Sequence, residues 1–77
     1  MNARAYILIT TELGTAGDIV EALQQIPGVT RADIVTGTYD VVAIVEVPTP
    51  HAIWRDVVAH MHTIPGLKST LTLVAMS

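Results

Sequence analysis

The chain has no cysteine and no phenylalanine, only one tryptophan and two tyrosines, and 14% of its residues are charged. Without cysteine there is neither disulfide stapling nor a thiolate zinc site. Four basic residues stand against seven acidic ones, for a net charge of −3. That balance argues against direct binding to nucleic acid, which rests on neutralising phosphates. No uncharged apolar run approaches the roughly 20 residues of a membrane span. The apolar run after Arg4, Tyr6 to Ile9, is also too short for the core of a signal peptide. These absences lead to the expectation of a cytoplasmic protein with no membrane partner.

What the chain does have is apolar material, at 51% of residues. Seventy-seven residues make a single domain, 1–77, with no room for a second. A domain of this size buries only about 60–65% of the surface that its unfolded chain exposes. So much apolar sequence with so few charges to cover it implies that one face is closed by another copy of the chain.

Ala5 to Thr10 reads as a buried first strand. Thr15, three residues before Asp18, is placed to cap a helix from about Ala16 in a capping-box pattern. Ile19, Val20, Leu23 and Ile26 then form one apolar stripe, stopped by Pro27-Gly28. Val29 to Thr36 and Tyr39 to Val47 read as two further strands joined by a hairpin at Gly37. Thr49-Pro50 opens a second helix, with Ile53, Val57, Met61 and Ile64 along one face. Pro65-Gly66 stops it, and Leu67 to Met76 is the fourth strand.

The stops expose an internal repeat. Ile26-Pro27-Gly28-Val29 returns thirty-eight residues later as Ile64-Pro65-Gly66-Leu67. At the same offset Ile19 meets Val57, Leu23 meets Met61, and Ile9 meets Val47. The chain is therefore two strand–helix–strand units, each with a right-handed crossover. They give an α+β, ferredoxin-like βαββαβ fold: a four-stranded antiparallel sheet, order 4-1-3-2, with both helices on one face. In the third strand Val41, Ala43, Val45 and Val47 point one way and Val42, Ile44 and Glu46 the other. Both sets are largely apolar, so sheet-on-sheet dimerisation is expected.

Little here suggests catalysis. His60 and His62 are two apart on a helix and point to nearly opposite sides, and His51 is too far along the axis to complete a metal site. All three read as polar residues of a helix surface. Glu12, Asp18, Glu21, Asp33 and Asp56 read as solvated carboxylates, and Glu46 as an interface-edge residue paired with an arginine or a backbone amide. The hairpin is different. Asp40 either accepts backbone amide hydrogens in its turn or receives an ammonium group, Tyr39 puts a phenol at the rim, and amides around Gly37 are open to a carboxylate. A zwitterionic amino acid offers both groups. Thr70 and Thr72 share one face of the last strand, where hydroxyls on an otherwise apolar interface face can line a small polar pocket.

The pattern Val35-Thr36-Gly37-Thr38-Tyr39-Asp40 following Ile26-Pro27-Gly28-Val29, closed by Ile64-Pro65-Gly66-Leu67-Lys68-Ser69-Thr70-Leu71-Thr72-Leu73, resembles the effector-binding domain of Lrp/AsnC-type transcriptional regulators. The resemblance covers essentially the whole chain. It implies a dimeric α+β barrel formed through the sheets, assembly of dimers into an octamer or similar ring, and no cofactor. It also implies a small effector, typically an amino acid, held between subunits near Gly37, Thr38, Tyr39, Asp40, Thr70 and Thr72. Regulators of this type carry an N-terminal helix-turn-helix domain, whereas this chain starts directly at the first strand. It is similar in that respect to stand-alone effector domains that sense amino acids or modulate a full-length regulator. Two other readings share the topology. One is an ACT-like amino-acid-binding domain with its effector loop at Leu13-Gly14-Thr15. The other is a small dimeric-barrel enzyme of monooxygenase or isomerase type, for which the sequence offers mainly aliphatic residues where polar catalytic groups would stand. A purely structural partner without a ligand is the fourth.

Overall fold

Alternation along the two most apolar strands decides which way the sheet faces. The structure, a computed structural model, describes residues 2–76. Its strands are β1 (Ala3–Thr11), β2 (Val29–Ile34), β3 (Val41–Val47) and β4 (Leu67–Val74). They form one antiparallel sheet in the order β2-β3-β1-β4, which is the expected order seen from the other edge. Ala5, Ile7 and Ile9 of β1 and Val41, Ala43 and Val45 of β3 are fully buried. They pack in one core with Ile19 and Leu23 of α1 (Ala16–Gln24) and with Ile53, Val57 and Met61 of α2 (residues 50–61).

Helix α2 is a continuous run of three segments, Pro50–Ala52, Ile53–Val58 and Ala59–Met61. The middle segment is π-helical, with the Ala59 amide donating to the carbonyl of Trp54 five residues back. The apolar spacing accounts for it. Ile53, Val57 and Met61 follow one another at intervals of four and all have zero exposure. On a regular α-helix each such interval drifts by about 40°, and the wider π turn drifts the opposite way, so all three stay on the core side. Thr49 caps this helix as expected, accepting the Ala52 amide at 3.3 Å.

The cap expected on α1 is not formed. Thr15 makes no side-chain cap bond. Its hydroxyl instead donates to the Glu12 carbonyl at 2.7 Å. Gly66 packs directly on this side chain: a Cβ on Gly66 would lie 2.8 Å from the Thr15 hydroxyl oxygen. The repeat has a matching close approach at its other stop, where a Cβ on Gly28 would lie 2.9 Å from Val47 Cγ1. Both glycines hold positive φ, +102° at Gly28 and +91° at Gly66. At each stop the residue after glycine bonds back to the isoleucine carbonyl, Val29 to Ile26 at 3.1 Å and Leu67 to Ile64 at 3.3 Å. The repeat is thus a repeat of backbone geometry, because each Pro-Gly stop turns the chain from a helix into the following strand.

The opposite sheet face has no helix over it. Tyr6, Leu71 and Leu73 remain 37%, 45% and 48% exposed, and Leu8, Val42 and Ile44 are half-buried beside them. At one end of this face, across the two central strands, Arg4 stands opposite Glu46 and bonds its carboxylate at 3.0 Å, the arginine pairing expected for Glu46.

Candidate functional site

The connection between β2 and β3 is wider than the tight hairpin expected. β2 ends at Ile34 rather than Thr36 and β3 begins at Val41 rather than Tyr39. The reason lies in the bonding of Asp40. Its carbonyl accepts the Val35 amide at 2.9 Å, closing the loop, while its own amide donates to Ile9 of β1 at 2.9 Å. Six residues, Val35 to Asp40, therefore bulge from the end of the sheet. Thr36, Gly37 and Thr38 are exposed, and Tyr39 and Asp40 half-buried. Gly37 has φ of +135° with open space where a side chain would stand.

The Asp40 carboxylate does not hang free in this loop. Oδ2 accepts the Thr11 amide at 2.8 Å. Thr11 belongs to the end of β1, just where its register with β4 shifts. A carboxylate accepting a backbone amide is one of the two roles read for Asp40, with the donor in a neighbouring strand rather than in its own turn.

Thr70 and Thr72 do share a face, but it is the helix side of the sheet. They stand opposite Ile9 and Ile7, the buried residues of β1, while Leu71 and Leu73 occupy the open face. Thr70, Ile9 and Val41 form one row across β4, β1 and β3. Thr70 thus lies at the same end of the sheet as Asp40, two strand spacings or roughly 10 Å across. Thr72 is one row further in. Within one chain the structure therefore gathers Gly37, Thr38, Tyr39, Asp40 and Thr70 at one end of the sheet, with Thr72 set back towards the middle.

Residues not read as part of the site in the sequence join this end. The hydroxyls of Thr10 and Ser69 bond each other across β1 and β4 on the open face. His62, at the close of α2, has Nε2 at 3.3 Å from the Thr70 hydroxyl. The register between β1 and β4 would have placed Thr10 against Ser69, but His62 follows from the path of the chain after α2, which spacing alone does not show. At the other end of the sheet Pro27, Gly28, Val47, Pro48, Asp56 and His60 line a cleft of about 450 Å³. There Arg55 grips both oxygens of Asp56 at 2.8 Å and holds its carboxyl below the usual carboxylate range. Among the described residues, no three His, Asp or Glu side chains converge as a metal site.

The chain as a whole matches a known family. The model of the Lrp/AsnC ligand-binding domain matches residues 4–77. The chain belongs to that family. The Lrp/AsnC domain is a regulatory, non-enzymatic module of transcription regulators. Among solved structures, the protein TTHA0845 of Thermus thermophilus superposes with a TM-score of 0.90 at 28% identity, covering 97% of this chain and 94% of that one. The hypothetical protein PHS023 of Pyrococcus horikoshii gives 0.88 at 28% identity, with 97% and 90% covered. The feast or famine regulatory protein of M. tuberculosis, complexed with L-methionine, gives 0.78 at 22% identity. This chain is covered to 97% there but spans only 50% of that protein, and the likeness is one of fold. Comparison with curated protein sequences finds no match. No helix among the described residues is long and apolar enough to cross a membrane.

Proposed function

We propose that this Lrp/AsnC domain senses a small effector, an amino acid, at a subunit boundary built around Gly37, Thr38, Tyr39, Asp40, Thr70 and Thr72. It does so as a homo-oligomer in the cytoplasm, acting on transcription through a full-length regulator of the same family. The observation that carries the reading is the concentration of polar groups at one end of an otherwise apolar sheet. The exposed, unobstructed Gly37, the Asp40 carboxylate and the Thr70 hydroxyl stand at this end, and the hydroxyls of Thr10 and Ser69 stand at the same end on the open face. The uncovered face that begins beside them, with Tyr6, Leu71 and Leu73, supports pairing of two chains sheet to sheet and further assembly of dimers into a ring. The L-methionine in the M. tuberculosis relative supports the ligand class.

A thermal-stability panel with all twenty amino acids, beside a mass measurement of the assembly, tests this. A ligand at 100 times its dissociation constant stabilises by about 2.7 kcal/mol. In a domain this small that corresponds to a rise in Tm on the order of 10 °C or more. A folded oligomer whose melting no amino acid shifts would end the amino-acid reading.

A further inference from the structure

The polar end of the sheet is wired to the rest of the molecule through one carboxylate. β1 pairs with β4 in register up to Thr10 opposite Ser69, then shifts so that Thr11 stands opposite Leu67. Such irregularities disrupt the ladder locally. Here Asp40 supplies an acceptor, taking the Thr11 amide on Oδ2 at 2.8 Å, while its own amide holds Ile9. One residue of the loop thus grips β1 at two points. The next residue carries the connection on. The Glu12 amide donates to the Gly66 carbonyl at 2.7 Å, and the Glu12 carbonyl accepts both the amide and the hydroxyl of Thr15, at 3.1 and 2.7 Å. Gly66 in turn rests on the Thr15 side chain. The loop is therefore linked, bond by bond, to the turn that starts β4 and to the residue that precedes α1.

We propose that Asp40 is a positioning residue: its carboxylate latches the Gly37 loop to the irregular end of β1 and, through Thr11 and Glu12, couples the loop to the Gly66 turn and the start of α1. This rests on the loop's being the effector site. It adds that the effector is read by how it moves Asp40 against Thr11, and not by a direct pairing of its ammonium group with the carboxylate. The distinction matters chemically. A counter-ion needs a negative charge, whereas a latch needs only an acceptor oxygen in the same place.

Asp40→Asn and Asp40→Ala separate the two. Amide hydrogen exchange is followed at Thr11 and Glu12 in the assembled protein, with the central-strand amides of Ile7 and Ala43 as reference, and the Tm shift is measured with the amino acid that stabilises the wild type most. In Asp40→Ala, exchange at Thr11 rises at least about tenfold relative to Ile7, as loss of a bond to a charged acceptor requires. Glu12 follows in the same direction, and the ligand-induced shift is lost. Asp40→Asn keeps the acceptor, the protection of both amides and the shift. Unchanged protection of Thr11 in Asp40→Ala would overturn the latch. So would an Asp40→Asn protein that keeps Thr11 protected yet loses the ligand shift, since that identifies a counter-ion. Should Asp40→Ala fail to assemble, Asp40→Asn alone decides by that second criterion. If no amino acid shifts the wild type, the effector reading falls by itself, and exchange at Thr11 and Glu12 still decides whether the connection exists.

Discussion

Replacing Leu71 with aspartate places a carboxylate on the uncovered sheet face and asks whether that face is where two chains meet. Leu71 and Leu73 are 45% and 48% exposed, so together they present nearly the surface of one whole leucine. Completing the burial of one leucine contributes about 1.5–3 kcal/mol. A two-fold interface counts it twice, so these two positions supply about 3–6 kcal/mol of the association of a dimer, before the smaller share of Tyr6. Leu71→Asp forfeits about half of this, which raises the dissociation constant roughly 10- to 100-fold. Desolvating two carboxylates across a two-fold axis adds to the loss. The fold itself is expected to stay intact, because the side chain is nearly half exposed in the single chain and surface changes of this kind usually stay within about 0.5 kcal/mol. Sedimentation velocity over a wide concentration range reads the shift, with circular dichroism as the check on folding. Trp54→Ser is the control: Trp54 is 49% exposed on α2, away from the open face, and its loss leaves the mass unchanged. A Leu71→Asp protein that keeps the wild-type mass at low concentration refutes the sheet-to-sheet interface.

Gly28→Ala combines a positive φ with a Cβ placed 2.9 Å from Val47 Cγ1 and 3.2 Å from Val57 Cγ2; conformational strain and crowding together should cost about 2–4 kcal/mol in urea unfolding. Thr49→Ala removes the acceptor of the Ala52 amide and is expected to cost about 0.5–1 kcal/mol, at the low end for an N-cap because that bond is long at 3.3 Å. Asp56 has its carboxyl held low chiefly by hydrogen bonds from Arg55, so any stability from the pair is present above the unfolded pKa and is lost as the pH falls through the folded value. Arg55→Ala should therefore move the Asp56 titration upward towards the ordinary range, followed by carboxyl chemical shifts; an unmoved midpoint would mean that another group sets it. Arg4→Ala breaks an exposed pair with Glu46 and should change stability little, with a smaller effect still at high salt, read by urea unfolding at two salt concentrations.

Most of the scaffold is legible in the sequence because its signals are local. The Pro-Gly stops at 27–28 and 65–66 and the alternation in β3 depend on backbone conformation and on the period of two, and both appear where the residues place them. The loop at Gly37 is harder. Its turn residues announce a hairpin, but its width depends on Asp40 bonding across to Ile9 and Thr11 in β1. No reading of residues 36–40 alone contains that partner. The Thr15 side chain also has a partner from the other half of the chain: its hydroxyl goes to the Glu12 carbonyl rather than to a cap, and Gly66 packs on the same side chain. Thr70 and Thr72 share one face as their spacing requires, yet which face depends on the register between β1 and β4. That register is set by the burial of Ile7 and Ile9. For the Gly37 loop and the two threonines the missing information is a contact between residues distant in sequence.

The two halves differ where the candidate site stands, and the difference follows from the repeat. Both halves need a strand, a helix, a Pro-Gly stop and a second strand, so those positions answer to packing in both copies: Leu23 and Met61 fill the core, and Gly28 and Gly66 allow the close approaches. The loop Val35–Asp40 joins one half to the other and has no second copy between strands within the chain. It is not required to fill a core, and there exposed threonines, an unobstructed glycine and a carboxylate collect. Its one structural obligation is to stay attached to β1, which Asp40 meets through Ile9 and Thr11. A symmetric scaffold thus leaves a single asymmetric junction free to vary its polar surface, with one residue holding that surface in place.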